Sequence, residues 1–347
     1  MKQTMQAAML YGREELRVEE VPVPSVKSDD ILVKVRVALT CGTDLKVFRR
    51  GYHARMIRPP AVLGHELAGD IVAVGPDVTN FHIGQRVVAA NSAPCRHCYF
   101  CKRNQENLCE NLLFNNGAYA EYVRIPGPIV ACNTHEITDG VSYRDAAMVE
   151  PLACVIRGIE ETGIREGDTV AVIGLGPIGL MFIRLAHLNG ARVIAVGRRP
   201  TQLERAKRMG ASELVTAVDD VDWVNQVRNY TDSSRGADAV IEAVGTPDTW
   251  QAAMGMVRGG GTVNFFGGCP GNSHVPIDTS LVHYSEVSLK SSFHHTPRHI
   301  RQALEVIRRS DLRSADFVIN EAPLSDLLSV FREMMSHNGH LKTAILP

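Results

Sequence analysis

Four cysteines with regular spacing occupy one short stretch of the chain. They follow the pattern C-x2-C-x2-C-x7-C and are Cys95, Cys98, Cys101 and Cys109. Four thiolates with this spacing can surround one Zn²⁺ tetrahedrally and leave no coordination position open, which is typical of a structural site. An iron–sulfur cluster or four unliganded thiols would be the alternatives. Because a single loop supplies all four sulfur atoms, we expect a structural zinc in a lobe of about residues 92–112.

The adjacent His65 and Glu66 are candidates for half of a second metal site, and two separate segments carry Cys41 and Glu150. A histidine beside an apolar run is often a satisfied core residue, and a buried cysteine is often inert. Glu150 precedes a proline, so it does not belong in the middle of a helix and its carboxylate can face a cleft. An interaction with a helix N-terminus is the alternative for that glutamate. The residues in question are Cys41, His65, Glu66 and Glu150.

A glycine-rich turn indicates a dinucleotide site. The turn is Gly174-Leu175-Gly176-Pro177-Ile178-Gly179, and it lies between the apolar strand pattern of 169–173 and a helical pattern. Glycines in a G-x-G-x-x-G turn permit a tight turn, close approach of a pyrophosphate and close packing of the helix, whose N-terminus favours phosphate charge. We therefore expect a nicotinamide or similar dinucleotide here, with Val244 as a further contact.

The end of the next strand bears on the choice between NAD and NADP. Folds that prefer NAD place a carboxylate there, about 20 residues after the glycine motif, to bind the ribose hydroxyls. This chain has Gly197, Arg198 and Arg199 at that place. Guanidinium groups can bind a 2′-phosphate in bidentate fashion, so the pattern favours NADP. The alternative is that Arg198 stacks on adenine and Arg199 is a surface charge.

The elements that position these residues follow two different patterns. Short alternating strands with glycine corners fill the first part of the chain and predict a β-rich body. From residue 168, buried strands alternate with helices, which predicts an α/β domain with a Rossmann doubly wound parallel sheet. The last segment returns to the character of the first. We expect domains at 1–155 and 156–296, with 297–347 rejoining the first.

Composition excludes several classes of function. The chain has 347 residues, of which 45% are hydrophobic and 22% charged, and its formal net charge is −1. That balance offers no basic surface for nucleic acid or anionic membranes, so partners are expected to be small molecules or copies of the chain. The first residues lack the apolar core of a secretory signal, and no apolar run approaches the roughly 20 residues of a membrane span. We expect a cytoplasmic protein in which the clustered cysteines, among eight in the chain, bind metal rather than form disulfides.

The order and separation of these motifs resemble the zinc-dependent medium-chain dehydrogenase/reductase family, within the alcohol dehydrogenase superfamily, and especially its sorbitol (polyol) dehydrogenase-like branch. The resemblance covers nearly the whole chain and implies a GroES-like fold for the β-rich catalytic domain. It rests on Cys41-Gly42-Thr43-Asp44, Gly64-His65-Glu66-x2-Gly69-x5-Gly75-x2-Val78, the four-cysteine lobe, Val149-Glu150-Pro151-Leu152-Ala153 and the glycine turn.

The resemblance also implies a catalytic site. Cys41, His65 and Glu150 would surround a second, catalytic zinc, and Glu66 would ligate it or exchange with water and substrate. Thr43 would pass the substrate proton outward. Many relatives continue this relay with a histidine three residues later, where this chain has Lys46. Lys46 is therefore either part of the relay or a solvated surface charge.

Substrate contacts are the least specified part of the resemblance. Phe48, Tyr52 and Phe114 stand where relatives line their pockets, although packing is an equally good account of these aromatics. His294 begins the return to the first domain and is a further candidate. The resemblance favours a polyol or sugar dehydrogenase and implies a homo-oligomer, a dimer or tetramer. A simple secondary-alcohol dehydrogenase, an L-threonine dehydrogenase and a catalytically silent zinc and nucleotide-binding protein are the alternatives.

Overall fold

A computed structural model describes residues 2–53, 55–336 and 341–347. The chain divides into two compact units. The first comprises Met1–Ala153 and His295–Pro347, and the second comprises Cys154–His294. Each boundary lies two residues before the position expected from the sequence.

The described residues contain strands and helices with the following bounds. The strands are β1 (Thr4–Gly12), β2 (Glu15–Pro22), β3 (Ile31–Leu39), β4 (Ala61–Val62), β5 (Leu67–Val74), β6 (Arg86–Ala89), β7 (Ser92–Ala93), β8 (Leu113–Phe114), β9 (Tyr122–Ile125), β10 (Thr134–Glu136), β11 (Thr169–Ile173), β12 (Arg192–Gly197), β13 (Glu213–Thr216), β14 (Ala237–Glu242), β15 (Val257–Phe265), β16 (Ser288–Ser291), β17 (Val318–Pro323) and β18 (Lys342–Leu346). The α-helices are α1 (Gly42–Arg50), α2 (Gly127–Asn133), α3 (Tyr143–Ala147), α4 (Val149–Thr162), α5 (Pro177–Leu188), α6 (Pro200–Arg208), α7 (Trp223–Asn229), α8 (Pro247–Met256), α9 (Thr279–Tyr284), α10 (Pro297–Arg308) and α11 (Leu327–Met335).

The first unit is built on β-sheets. Its largest sheet has the order β10-β6-β5-β3-β18-β17, with β9 also pairing with β3. Strand β3 is central because most of its side chains are buried, and it pairs antiparallel with β5, β9 and β18. Strands β2, β1 and β4 form a second sheet. Because β18 comes from the end of the chain, this unit combines residues that are far apart in sequence.

The second unit contains one six-stranded parallel sheet. Its order is β13-β12-β11-β14-β15-β16. Strands β11 and β12 are short, almost wholly apolar and almost wholly buried, as expected for parallel strands covered on both faces. In sequence order the arrangement is 3-2-1-4-5-6, the order of a Rossmann fold, so the predicted doubly wound domain is confirmed.

The segment after Cys41 forms helix α1 (Gly42–Arg50). Cys41 is the N-cap of α1, and its Sγ accepts a hydrogen bond from the Thr43 N–H at 3.4 Å. Asp44 in the first turn adds a favourable charge at the positive end of the helix. The helix ends at Gly51, which adopts a left-handed conformation. Among the described helices, none is both long and apolar enough to cross a bilayer.

Candidate active site

Three potential metal ligands converge in the first unit. The ligand atoms of Cys41, His65 and Glu66 all lie within 4.8 Å of one another. Cys41 stands between β3 and α1, while His65 and Glu66 directly precede β5. The two strands pair with each other, with Ala38 opposite Leu67, and this pairing brings the two segments together. His65 and Glu66 are buried, whereas Cys41 is half-buried.

A chain of buried hydrogen bonds orients His65. Its Nδ1 lies 2.9 Å from Asp44 Oδ1, and the Tyr119 hydroxyl donates to Asp44 Oδ2 at 2.8 Å. When Nδ1 carries its proton toward Asp44, the lone pair of Nε2 is available to a metal. Burial lowers the pKa of His65, but Asp44 and Cys41 raise it more, so the pKa lies well above its ordinary value. A metal ion would therefore displace a proton from His65.

Glu66 is held by a lysine from the end of the chain. Lys342 Nζ lies 2.7 and 2.6 Å from the two carboxylate oxygens of Glu66, and it also donates to the Thr40 carbonyl at 3.0 Å. Both charged side chains are buried. Burial raises the pKa of Glu66, while the Lys342 ammonium opposes that rise. The ion pair thus occupies the carboxylate that a metal would otherwise attract.

Glu150 is buried in the first turn of α4, as the proline after it suggests. Burial raises the pKa of its carboxyl to about 7; the nearby His65 lowers this pKa by a smaller amount, and the Glu66 carboxylate raises it further. Its Oε1 lies 3.7 Å from His295 Nε2, which is itself 3.2 Å from Asn91 Oδ1. Glu150 does not belong to the close group of ligand atoms formed by Cys41, His65 and Glu66.

The supporting residues Asp44, Tyr119 and Lys342 are not evident from the sequence motifs alone. One sequence feature points to Asp44: it lies in the same short motif as Cys41, one helical turn after it. Another feature points to Lys342: it is a charged residue at the first position of an otherwise mostly apolar strand. Tyr119 resembled an ordinary core aromatic, and only its hydrogen bond to Asp44 reveals its position in the site.

The donor set fits a zinc ion. Thiolate, imidazole and carboxylate are all zinc ligands, and a catalytic site needs a position that substrate or water can take. The carboxylate of Glu66 is already paired with Lys342. It therefore has a partner whether or not it also binds a metal ion. Cys41, His65 and Glu150 would hold the metal, and Glu66 would stand next to it.

The cysteine lobe has the geometry of a closed metal site. The sulfur atoms of Cys98 and Cys101 are 3.5 Å apart, those of Cys98 and Cys109 3.9 Å, and those of Cys95 and Cys101 4.0 Å. A tetrahedral zinc with Zn–S bonds of about 2.3 Å requires sulfur separations of about 3.8 Å. The Cys101 N–H lowers the pKa of Cys98 to about 6, while burial raises the pKa of Cys101 to about 12. The four thiols therefore fit one tetrahedral ion.

The predicted dinucleotide turn lines a cavity of about 510 Å³ in the second unit. A Cβ at Gly179 would lie 1.7 Å from the Gly174 carbonyl oxygen, so a side chain there would prevent close packing of α5. A Cβ at Gly176 would meet open space, which leaves room for a ligand beside the backbone. The residues of the turn that line the cavity are Gly174, Leu175 and Gly176.

The residues that the sequence relates to the choice between NAD and NADP line the same cavity. Gly197, Arg198, Arg199 and Val244 all contribute to its wall. A Cβ at Gly197 would lie 2.5 Å from Leu175 Cδ1, so the turn itself leaves no room for a side chain at this strand end without a shift. Asp219 also lines the cavity and supplies a carboxylate that sequence analysis did not consider. Ile178 and Pro177 lie in the first turn of α5.

The remaining predicted residues have varied surroundings. Thr43 is half-buried next to Cys41, and Lys46 is exposed on α1. Phe48 is buried, with its ring 5.5 Å from that of Phe331, so the structure favours packing as its role. Tyr52 is 59% exposed. The other two are Phe114, which lines a cavity in the first unit, and His294, which is half-buried in the second unit.

Two family models match the chain. Residues 27–132 match the alcohol dehydrogenase GroES-like domain, and residues 177–309 match the zinc-binding dehydrogenase model. A sorbitol dehydrogenase of Bacillus subtilis is 32% identical over 300 residues, covering 84% of this chain and 83% of that protein. A probable D-xylulose reductase A of Aspergillus clavatus is 28% identical, covering 97% and 95% of the two chains.

A solved structure supports the same relationship. It is a putative zinc-binding dehydrogenase from Sinorhizobium meliloti bound to NADP, with 29% identity, a TM-score of 0.90 and 100% coverage of both chains. The predicted GroES-like and Rossmann fold class is confirmed, as is the resemblance to polyol dehydrogenases. On its sequence motifs, its fold and these similarities, the chain belongs to the zinc-dependent medium-chain dehydrogenase/reductase family and is an oxidoreductase of the alcohol dehydrogenase superfamily.

Proposed function

We propose that this enzyme transfers a hydride between the CH–OH carbon of a polyol, sugar or related secondary alcohol and a nicotinamide dinucleotide, with NADP preferred. The observation that carries the proposal is the convergence of Cys41, His65 and Glu66 within 4.8 Å, in the unit that also contains the buried Glu150. The similar proteins named sorbitol dehydrogenase and probable D-xylulose reductase support a polyol as the substrate class.

Each residue of the site has a distinct task in this proposal. A bound zinc supplies Lewis-acid chemistry that makes an alcohol proton easier to remove. Cys41, His65 and Glu150 hold the ion, and Asp44 keeps the imidazole of His65 in the required orientation. The Thr43 hydroxyl receives the substrate proton. Lys46 is exposed at the outer end of this route and either accepts the proton or leaves it to solvent.

The preference for NADP rests on charge at the end of β12. The exposed Arg198 and half-buried Arg199 follow Gly197 on the cavity wall, so a 2′-phosphate would meet guanidinium groups instead of a carboxylate. The NADP-bound relative from Sinorhizobium meliloti supports the same preference. Asp219 on the same wall opposes it, since a carboxylate repels phosphate.

A substrate panel would test the reaction. Polyols, sugar phosphates, amino alcohols and simple secondary alcohols are supplied with NADP or NAD, and reduced cofactor is followed by absorbance. The highest kcat/KM is expected for a polyol or sugar with NADP. A clear preference for L-threonine or a simple secondary alcohol would overturn the substrate assignment, and a clear preference for NAD would overturn the cofactor assignment.

Two variants would test the sites separately. Cys41→Ala should abolish turnover, leave the fold intact and reduce zinc content from two ions per chain to one, whereas Cys132→Ala outside both ligand sets should change neither quantity. Arg198→Ala should impair kcat/KM with NADP selectively, and Arg165→Ala, an exposed arginine outside the cavity, is its control. Retained turnover in Cys41→Ala would refute its role as a ligand.

We also expect a cytoplasmic homo-oligomer, a dimer or tetramer, by resemblance to the family. Sedimentation of the purified protein would measure its size. A monomer at working concentrations would remove this part of the proposal without affecting the zinc chemistry.

A further inference from the structure

The first unit contains a cavity of about 330 Å³ with a strongly basic wall. One side comes from β10 and the other from successive turns of α10. The helix contributes three guanidinium groups and one carboxylate to the lining. The lining residues are His135, Arg298, Arg301, Gln302, Leu304, Glu305 and Arg308. None of them belongs to the metal-ligand sets described above, so the cavity needs a separate explanation.

His135 lines this cavity and has an unsatisfied ring nitrogen beneath its surface. Its Nε2 is almost completely shielded from solvent and has no hydrogen-bond partner within residues 2–53, 55–336 and 341–347. Burial lowers the pKa of His135 to about 4, and the positive charges of Arg301 and Arg308 contribute to this decrease. The imidazole is therefore neutral near pH 7. A buried polar nitrogen normally has a partner, supplied by protein, water or ligand.

The arginines differ in how fully they are neutralised. Arg308 donates to Glu305 at 2.6 Å, so its charge is already balanced. Arg301, one helical turn before Glu305, forms no ion pair with any residue that the structure describes and is exposed. A guanidinium presents a planar set of donors that matches the oxygens of phosphate. Arg301 thus supplies an available cation next to a histidine that lacks a partner.

We propose that this cavity is a binding site for a phosphate group, held by Arg301 and Arg308, and that the His135 ring turns to bring Nε2 to the bound anion. The bound anion would offset the positive charge that now faces the imidazole and would accept its N–H. The cavity volume lies at the lower end of the range for small-molecule sites, which suits inorganic phosphate or a small phosphate ester. The proposal does not rest on the dehydrogenase reaction.

Glu305 makes the site selective. Its carboxylate now pairs with Arg308 and must yield part of that contact to an incoming anion. Phosphate competes for the guanidinium better than chloride even when it carries a single charge, because its oxygens can accept two parallel N–H hydrogen bonds from the planar group. Neutralising this carboxylate should consequently strengthen phosphate binding.

Nuclear magnetic resonance of the zinc-loaded, full-length protein would test the site. The His135 ring signals, assigned with His135→Asn, are followed as pH is varied with inorganic phosphate or with chloride at equal ionic strength. Phosphate, but not chloride, should raise the pKa of His135 by about one unit or more. An unchanged His135 pKa in phosphate would overturn the proposal, since a water molecule would then suffice as its partner.

Calorimetry with inorganic phosphate adds a test that does not depend on histidine assignment. Arg301→Ala should raise the Kd about tenfold or more, and Glu305→Gln should lower it. Arg309→Ala is the matched control, because Arg309 is exposed at the end of the same helix but does not line the cavity. Equal affinities in Arg301→Ala and Arg309→Ala would also overturn the proposal. Comparison with glycerol phosphate would distinguish an ester ligand, if it binds more tightly, from free phosphate.

Discussion

Lys342 and Glu66 form a buried ion pair between residues that are 276 positions apart, with Lys342 Nζ 2.6 and 2.7 Å from the two carboxylate oxygens. The pair connects the last strand of the chain to the residue next to the proposed ligand His65. Its position means that the end of the chain contributes directly to the environment of the metal site. Lys342 also donates to the Thr40 carbonyl, so the ammonium is fully engaged.

Replacing Lys342 by methionine should destabilise the first unit. The substitution leaves the Glu66 carboxylate buried without its cation, a change that typically costs about 3–5 kcal/mol. Urea denaturation at pH 7 would measure the free energy of unfolding. The double variant Lys342→Met/Glu66→Gln removes both charges and should recover part of the loss. A single variant as stable as the parent would show that the carboxylate does not depend on this partner.

Replacing Tyr119 by phenylalanine should weaken zinc binding. The change removes the hydroxyl that donates to Asp44, and Asp44 then holds His65 less firmly. Loss of an outer partner of this kind lowers metal affinity about 10-fold or more. Competition with a chelator would measure the affinity of the catalytic site. Tyr143→Phe is the control, because its hydroxyl bonds to Asp70 instead, and equal zinc retention in the two variants would contradict the prediction.

Replacing Cys98 by serine should empty the cysteine lobe while the catalytic site keeps its metal. Zinc content should decrease from two ions per chain to one, and the melting temperature should fall because a structural zinc contributes directly to folding. Elemental analysis and calorimetry would record both changes. Cys132→Ser alters a buried thiol outside the lobe and is the comparison. Undiminished zinc content in Cys98→Ser would show that the lobe does not bind the ion.

Stability in phosphate-free buffer should decrease in acid partly through His135. Its pKa is about 4 in the folded chain, compared with about 6.5 in an unfolded one, so the unfolded state takes up the proton first. This contribution is fully present above pH 6.5 and is lost as pH falls toward 4, by about 1.4 kcal/mol per pH unit at most. His135→Asn should flatten the dependence over that interval. His187→Asn, which replaces an exposed histidine, should leave the pH dependence of stability unchanged. Identical pH profiles for both variants would contradict the role assigned to His135.

The local motifs could be predicted from sequence because their chemistry depends on nearby residues. The turn from Gly174 to Gly179 requires small residues at close range, and the structure shows the contact that excludes a side chain at Gly179. The alternation of apolar strands and helices likewise predicted the parallel sheet. The start of α1 also has a local cause, because the Cys41 thiol caps the helix and Asp44 places a negative charge in its first turn.

Contacts between distant segments could not be predicted in the same way. Tyr119 lies 75 positions from Asp44. The sequence around either residue does not indicate that the two side chains form a hydrogen bond. Phe48 was a candidate substrate contact, yet it packs on Phe331 in the core. Such pairs depend on strand register and helix packing, which a linear pattern does not specify.

The sequence by itself determined the family, the Rossmann domain and the candidate ligands, since metal-ligand spacing and hydrophobic periodicity are properties of short segments. Only the tertiary structure decided that Lys342 holds Glu66, that Tyr119 supports His65 through Asp44, and that an arginine face of α10 surrounds His135. The physical reason is that a buried charge or polar group requires a partner, and folding selects that partner from anywhere along the chain.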